Sequence, residues 1–185
     1  MKKIFEKLFG KKHMEIEDSV SGYLKAIDDW LSENAKSLKD KLHKPESEDV
    51  LSNIESELGI VIPSQVREAY LIHGGETSDS NGIFGLWRWL SIEDMKNEFK
   101  HLKEHKDSDA IRIPILLSPG GDLTYVESGK ESAIIDWWHE NPTRDVKHSD
   151  FKAYLNWFTK RLYSGEYVYL EDEITGLIDK SELYV

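Results

Sequence analysis

Between Ser19 and Leu42 the apolar residues Val20, Leu24, Ile27, Leu31, Leu38 and Leu42 recur at intervals of three, four and seven positions, with Tyr23 and Trp30 beside the stripe. That spacing predicts one long amphipathic helix with acidic and lysine-rich outer faces. Lys44-Pro45-Glu46 interrupts it. Ser47 is placed to cap a second helix that carries Val50, Leu51, Ile54 and Leu58, and Gly59 suits the left-handed position just past its end. Pro63 opens a third helix, in whose first turn a missing N–H costs nothing, with Val66, Ala69, Tyr70 and His73 along one side and Gly74-Gly75 as its stop.

The polar run from Glu76 to Gly82 reads as a solvated loop. Leu86 to Leu90 then alternates as a strand, sending Trp87 and Trp89 to one face. Ser91 with Asp94 resembles a capping box for a helix with Met95, Phe99 and Leu102 inside. After a charged break at 105–109, Ile111 to Leu117, Leu123 to Val126 and Ala133 to Trp138 follow as short strands, separated by the turns Ser118 to Asp122 and Glu127 to Lys130. Their spacing predicts an antiparallel meander, with Pro114 at an edge or irregular position. Asn141-Pro142 starts a loop, and Ser149 caps a helix bearing Phe151, Tyr154, Leu155, Phe158 and Leu162 that Gly165 stops. Tyr167 to Leu170 and Gly176 to Ile178 close the chain's pattern. The whole is an α+β arrangement, an antiparallel β-sheet meander flanked by helices. Residues 1–44 form an N-terminal extension of a basic segment and an amphipathic helix, and 45–185 form the domain.

Composition narrows the classes of function. With 39% hydrophobic and 11% aromatic residues in 185, the chain has enough apolar surface for a core without staples. It has no cysteine, which excludes thiolate chemistry, cysteine-ligated zinc and iron–sulfur clusters, and fits a reducing cytoplasm. No apolar run approaches the roughly 20 residues that span a bilayer.

The formal net charge of −11 is unevenly placed: residues 1–13 carry five Lys against one Glu, a balance of +4, so the remainder carries −15. Such a body repels phosphate backbones, which argues against direct nucleic-acid binding; the acidity either confers solubility alone or forms a face complementary to a basic protein partner. In the first segment Ile4, Phe5, Leu8 and Phe9 form one face of a short basic amphipathic helix, suited to an anionic membrane surface or to docking on the domain. Glu6 and Lys7 interrupt the apolar core that a secretory signal needs.

Candidate chemistry is sparse. Asp136, His139 and Glu140 sit together at a strand end as a potential acid–base group, the basis of an alternative reading as a hydrolase centred on Asp136 and His139, but no nucleophile motif accompanies them. His139-Glu140 lacks the second histidine of a zinc-hydrolase motif. His101 and His105, four apart among lysines, lack a third ligand. Gly120-Gly121 is followed by neither the lysine nor the helix of a phosphate loop. No metal or cofactor is expected.

The order and spacing of several weak motifs carry a further reading. They are Leu58-Gly59-Ile60 with Ile62-Pro63, Tyr70-Leu71 before Gly74-Gly75, and Trp87 to Leu90; then Pro114 with Gly120-Gly121-Asp122, Ile134 to His139, Phe151-Lys-Ala-Tyr154-Leu155, and Gly165-Glu-Tyr167. Over about residues 47–178 this series resembles the SUKH superfamily, which includes fungal cell-wall-synthesis regulators and many bacterial immunity proteins against polymorphic toxins. His73 departs from the asparagine often found before the paired glycines. The resemblance implies an α+β domain that binds proteins and transfers no catalytic residue. The expectation is a cytoplasmic immunity protein that neutralises a basic toxin, a nuclease being the natural target; the alternative is a scaffold or regulator. The candidate interface is Glu76, Asp79, Trp87, Glu93, Asp94, Asp122, Asp136, Trp138, His139 and Glu140, chosen because they fall at loops and strand ends.

Overall fold

A computed structural model describes residues 15–104, 110–129, 133–140, 144–171 and 176–181. The amphipathic face expected at 4–9, His105, Lys130 and Asn141-Pro142 lie outside the described residues.

Local signals set most helix ends. Ser19 Oγ accepts from Gly22 N at 3.0 Å and opens α1 (Val20–Asn34), with Val20, Leu24, Ile27 and Leu31 buried. The helix predicted to reach Leu42 is shorter. Ala35 breaks it at φ −150° and ψ 55°, and the single turn α2 (Lys36–Lys39) follows, still burying Leu38. The break lets the chain turn back beside residues 70–77: Leu42 bridges to Glu76, His43 N donates to Gly75 O at 2.8 Å, and Gly74 N donates to Lys44 O at 3.1 Å. A straight helix would carry Leu42 away from this ladder.

The helix α3 (Glu48–Leu58) starts where Ser47 Oγ accepts from Val50 N and ends at Gly59, whose φ of 67° is the left-handed conformation that glycine adopts without strain. Pro63 lies one position ahead of α4 (Ser64–Tyr70) rather than within its first turn.

The strands β1 (Arg88–Trp89), β2 (Arg112–Leu117), β3 (Leu123–Glu127), β4 (Ile134–Trp137) and β5 (Arg144–His148) form an antiparallel sheet in that order. The fifth was not predicted: Arg-Asp-Val-Lys-His has one apolar residue, and that residue faces solvent. Pro114 lies on an interior strand, but at a register irregularity and beyond β1, which pairs only with Leu116 and Leu117. The missing N–H therefore breaks no β1–β2 pairing. The helix α5 (Ile92–Glu104) packs on β2. Asp150, rather than Ser149, caps α6 (Phe151–Ser164) by accepting from Ala153 N at 2.8 Å. Beyond Gly165, β6 (Tyr167–Tyr169) and β7 (Leu177–Asp179) make a separate two-stranded ribbon.

One hydrophobic cluster joins these layers. Phe84 sits at its centre, with ring centroids 5.0 Å from Phe158, 5.5 Å from Tyr154 and 6.2 Å from Trp89. The N-terminal helix belongs to the same cluster, packing on α6 while Tyr163 Oη donates to Ala26 O at 3.0 Å and His73 contacts Asp28 at 2.9 Å. Each fully buried leucine of α1 contributes about 2 kcal/mol by area removed from water. Among the described residues, no helix is long and apolar enough to cross a membrane.

Candidate partner-binding surface

The site is built on the turn before β3 and the end of β4. Ser118 N donates to Asp122 O at 2.9 Å and Gly121 N to Ser118 O at 3.1 Å, a tight turn in which Gly121 takes a φ of 91°. The turn aims Asp122 at the far end of β4, where its carboxylate accepts from His139 N at 3.1 Å and contacts His139 Nδ1 at 2.8 Å. Partial burial pushes the Asp122 carboxyl up, but the donors from His139 and Ser118 outweigh it and hold the group below the ordinary carboxylate range. On the outer side His139 Nε2 lies 4.0 Å from Glu140, whose side chain is 88% exposed.

Trp138 precedes this pair. Its ring meets Trp87 edge to face, centroids 6.3 Å apart at 82°, and both indoles are half-buried. Trp87 is outside the strand in which it was predicted, because Leu86 adopts φ 68° and alternation starts only at Arg88. Trp89 takes the fully buried position. From β5, Lys147 Nζ lies 5.9 Å from the Trp138 ring and 3.4 Å from Asp136. Asp136 is almost wholly buried and accepts from Thr124 Oγ1 at 2.7 Å across the strand pair. Trp87, Asp122, Asp136, Trp138, His139 and Glu140 therefore form one contiguous group, which Thr124 and Lys147 join. Lys147 was missed because its strand was missed; Thr124 follows from the β3–β4 register, which a sequence does not print.

The other candidates lie apart from this group. Glu76, predicted on a solvated loop, is instead completely buried, and its carboxylate accepts from Ser80 Oγ, Ile83 N at 3.1 Å and Trp89 N at 2.6 Å. It is a brace for the connection into β1, with no surface to offer a partner. Burial pushes its pKa up to about 7 against the pull of those donors. Asp79 pairs with Lys41 at 2.5 Å and Thr77 at 2.6 Å, which lower its pKa to about 2. Asp94 is bound to Arg88, and Glu93 is exposed on the first turn of α5.

The acid–base centre expected at Asp136 and His139 does not form. His139 is partnered by Asp122, while Asp136 is taken by Thr124 and Lys147. Ser118 Oγ contacts the carboxylate of Asp122 at 3.3 Å, so the acid lies between hydroxyl and imidazole, whereas nucleophile activation needs the imidazole in the middle. Among the described residues, no three His, Asp or Glu are gathered to hold a metal ion. What the arrangement offers is two partly exposed indoles beside one exposed acid, Glu140, at the end of β4.

No curated protein matches the chain. Residues 45–157, more than half of it, match the model of the SMI1 / KNR4 family (SUKH-1), and the chain belongs to that family.

Proposed function

We propose that this protein is a non-catalytic binding module of the cytoplasm that neutralises a cognate basic toxin, with Trp87 and Trp138 as anchors and Asp122, His139 and Glu140 at their rim. The observation that carries this reading is the edge-to-face indole pair left partly exposed at the end of the sheet, beside an acid that is 88% exposed. Tryptophans in such positions dominate interface energies, and rim acids act mainly on the rate and selectivity of encounter. The −15 balance outside residues 1–13 adds a long-range attraction for a cationic partner. Family membership supports protein binding, and the toxin as partner is taken from the sequence resemblance to the superfamily's immunity proteins.

The test begins with capture of the partner from the organism's own lysate at rising salt, followed by co-expression of the captured protein in a host whose growth it arrests. The wild-type chain restores growth, and Trp138→Ala weakens affinity by roughly 30-fold, since an anchoring indole is worth about 2 kcal/mol or more. A captured partner without toxicity, or rescue and affinity unchanged in a correctly folded Trp138→Ala protein, overturns the reading.

A further inference from the structure

The last strand of the sheet is an open edge with an unusual sequence. Among the described residues no strand lies beyond β5 in the order of the sheet. At its centre Val146 is 66% exposed, and Asp145 and Lys147 on either side of it are also exposed. Across β4, Asp145 stands directly opposite Asp136, a like-charge pairing that a sheet disfavours. Lys147 leans toward Asp136 at 3.4 Å, which leaves Asp145 beside an acid and facing outward.

We propose that β5 is the seam of a homodimer, in which β5 of one copy pairs antiparallel with β5 of a second copy about a two-fold axis through Val146. In that register Val146 meets its own equivalent. Asp145 of each copy falls opposite Lys147 of the other, because positions one before and one after the axis exchange in an antiparallel pair. The pattern Asp-Val-Lys is thus complementary to itself only when reversed. The unfavourable Asp145–Asp136 pairing gains a cation, and the exposed valine gains an apolar contact. Charged side chains and a bulge ordinarily protect a sheet edge from foreign strands. Both occur here, with the register shift falling between the partners of Val146 and His148. The charges exclude strangers, while an inverted copy of the same strand satisfies them. The occupant is therefore a second copy of this chain, and the joined sheets run continuously through ten strands.

Sedimentation of the full chain at physiological salt, where whole-molecule repulsion is damped beyond about 8 Å while close pairs persist, tests the seam without any other partner. Over about 1–300 µM the wild-type protein shifts from monomer to dimer. Asp145→Lys turns both cross-strand pairs into like-charge contacts and weakens dimerisation by about tenfold or more. The double substitution D145K/K147D restores it, since opposite charges again face each other and Asp136 keeps a cation across from it. Val146→Lys, which sets two cations on the axis, abolishes it. Asp145 and Val146 are exposed, so at about 1 µM, where the wild type is monomeric, circular dichroism of the single variants matches it, and in the double variant a lysine at 145 replaces Lys147 as the cation facing Asp136. A wild-type monomer throughout the range, a dimer indifferent to Asp145→Lys, or a double variant as weak as the single overturns the proposal.

Discussion

Replacing Glu76 by glutamine separates the two forces that act on the most deeply buried acid described. Its ordinary pKa of 4.5 is raised by burial to about 7 in the folded protein, while in the unfolded chain it returns to the ordinary value. Between those two limits the folded state holds a proton that the unfolded state has released, so stability falls as pH rises through the window. A displacement of about 2.5 pH units, at about 1.4 kcal/mol each, gives about 3 kcal/mol lost by pH 8 relative to pH 4.5. Glutamine does not titrate. It keeps one acceptor oxygen but turns an amide toward Ile83 N or Trp89 N, leaving a buried donor unmet at a cost of about 1–3 kcal/mol. Urea unfolding of both proteins across pH 4.5 to 8, followed by tryptophan fluorescence, gives a difference curve in which all other groups cancel. That difference favours the wild type at low pH and declines by about 3 kcal/mol toward pH 8, where E76Q equals or exceeds it. A flat difference refutes the reasoning. One that rises with pH would show that the three donors outweigh burial.

Two further substitutions check other parts of the account. Leu31→Ala leaves a cavity in the cluster that α1 shares with α6 and costs about 2–5 kcal/mol, a fall in Tm on the order of 10 °C by calorimetry; a loss under about 1 kcal/mol would mean that α1 is a loosely attached extension. His139→Ala removes the main donor to Asp122, so an NMR titration finds that carboxyl raised toward its ordinary value. The stability that Asp122 adds above the ordinary carboxylate range, and loses as pH falls through its depressed pKa, then shrinks; an unmoved Asp122 titration contradicts the assigned hydrogen bonds.

What could be read from the residues was whatever rests on near neighbours. The caps at Ser47, Gly59 and Gly165, the stripe of α6 and the turn at Gly120-Gly121 depend on residues a few positions apart, and they formed as their chemistry directs. Three features escaped because their causes are pairings formed only in the folded chain, which no local pattern of residues prints. Ala35 breaks α1 to bring residues 41–44 against 74–77, β5 is held by β4 rather than by any apolar pattern of its own, and Glu76 is drawn inward by backbone donors at positions 83 and 89. The site was legible to the same degree. A strand end bearing Trp138, His139 and Glu140 was visible, but the approach of Trp87 and the choice of Asp122 over Asp136 as the partner of His139 required the folded sheet.

The packing of α1 on α6 has a consequence in time. Ala26 O accepts from Tyr163 Oη across 137 residues of chain, so α1 meets its main docking face, α6, only after more than 100 further residues have been made. At ordinary rates of synthesis the interval is on the order of 10 s. Until then Val20, Leu24, Ile27 and Leu31 can be covered only in part, by α2 and α4. The packing of α1 is therefore completed only when α6 arrives, and the part of its stripe that α6 covers stays open to a chaperone in the interval.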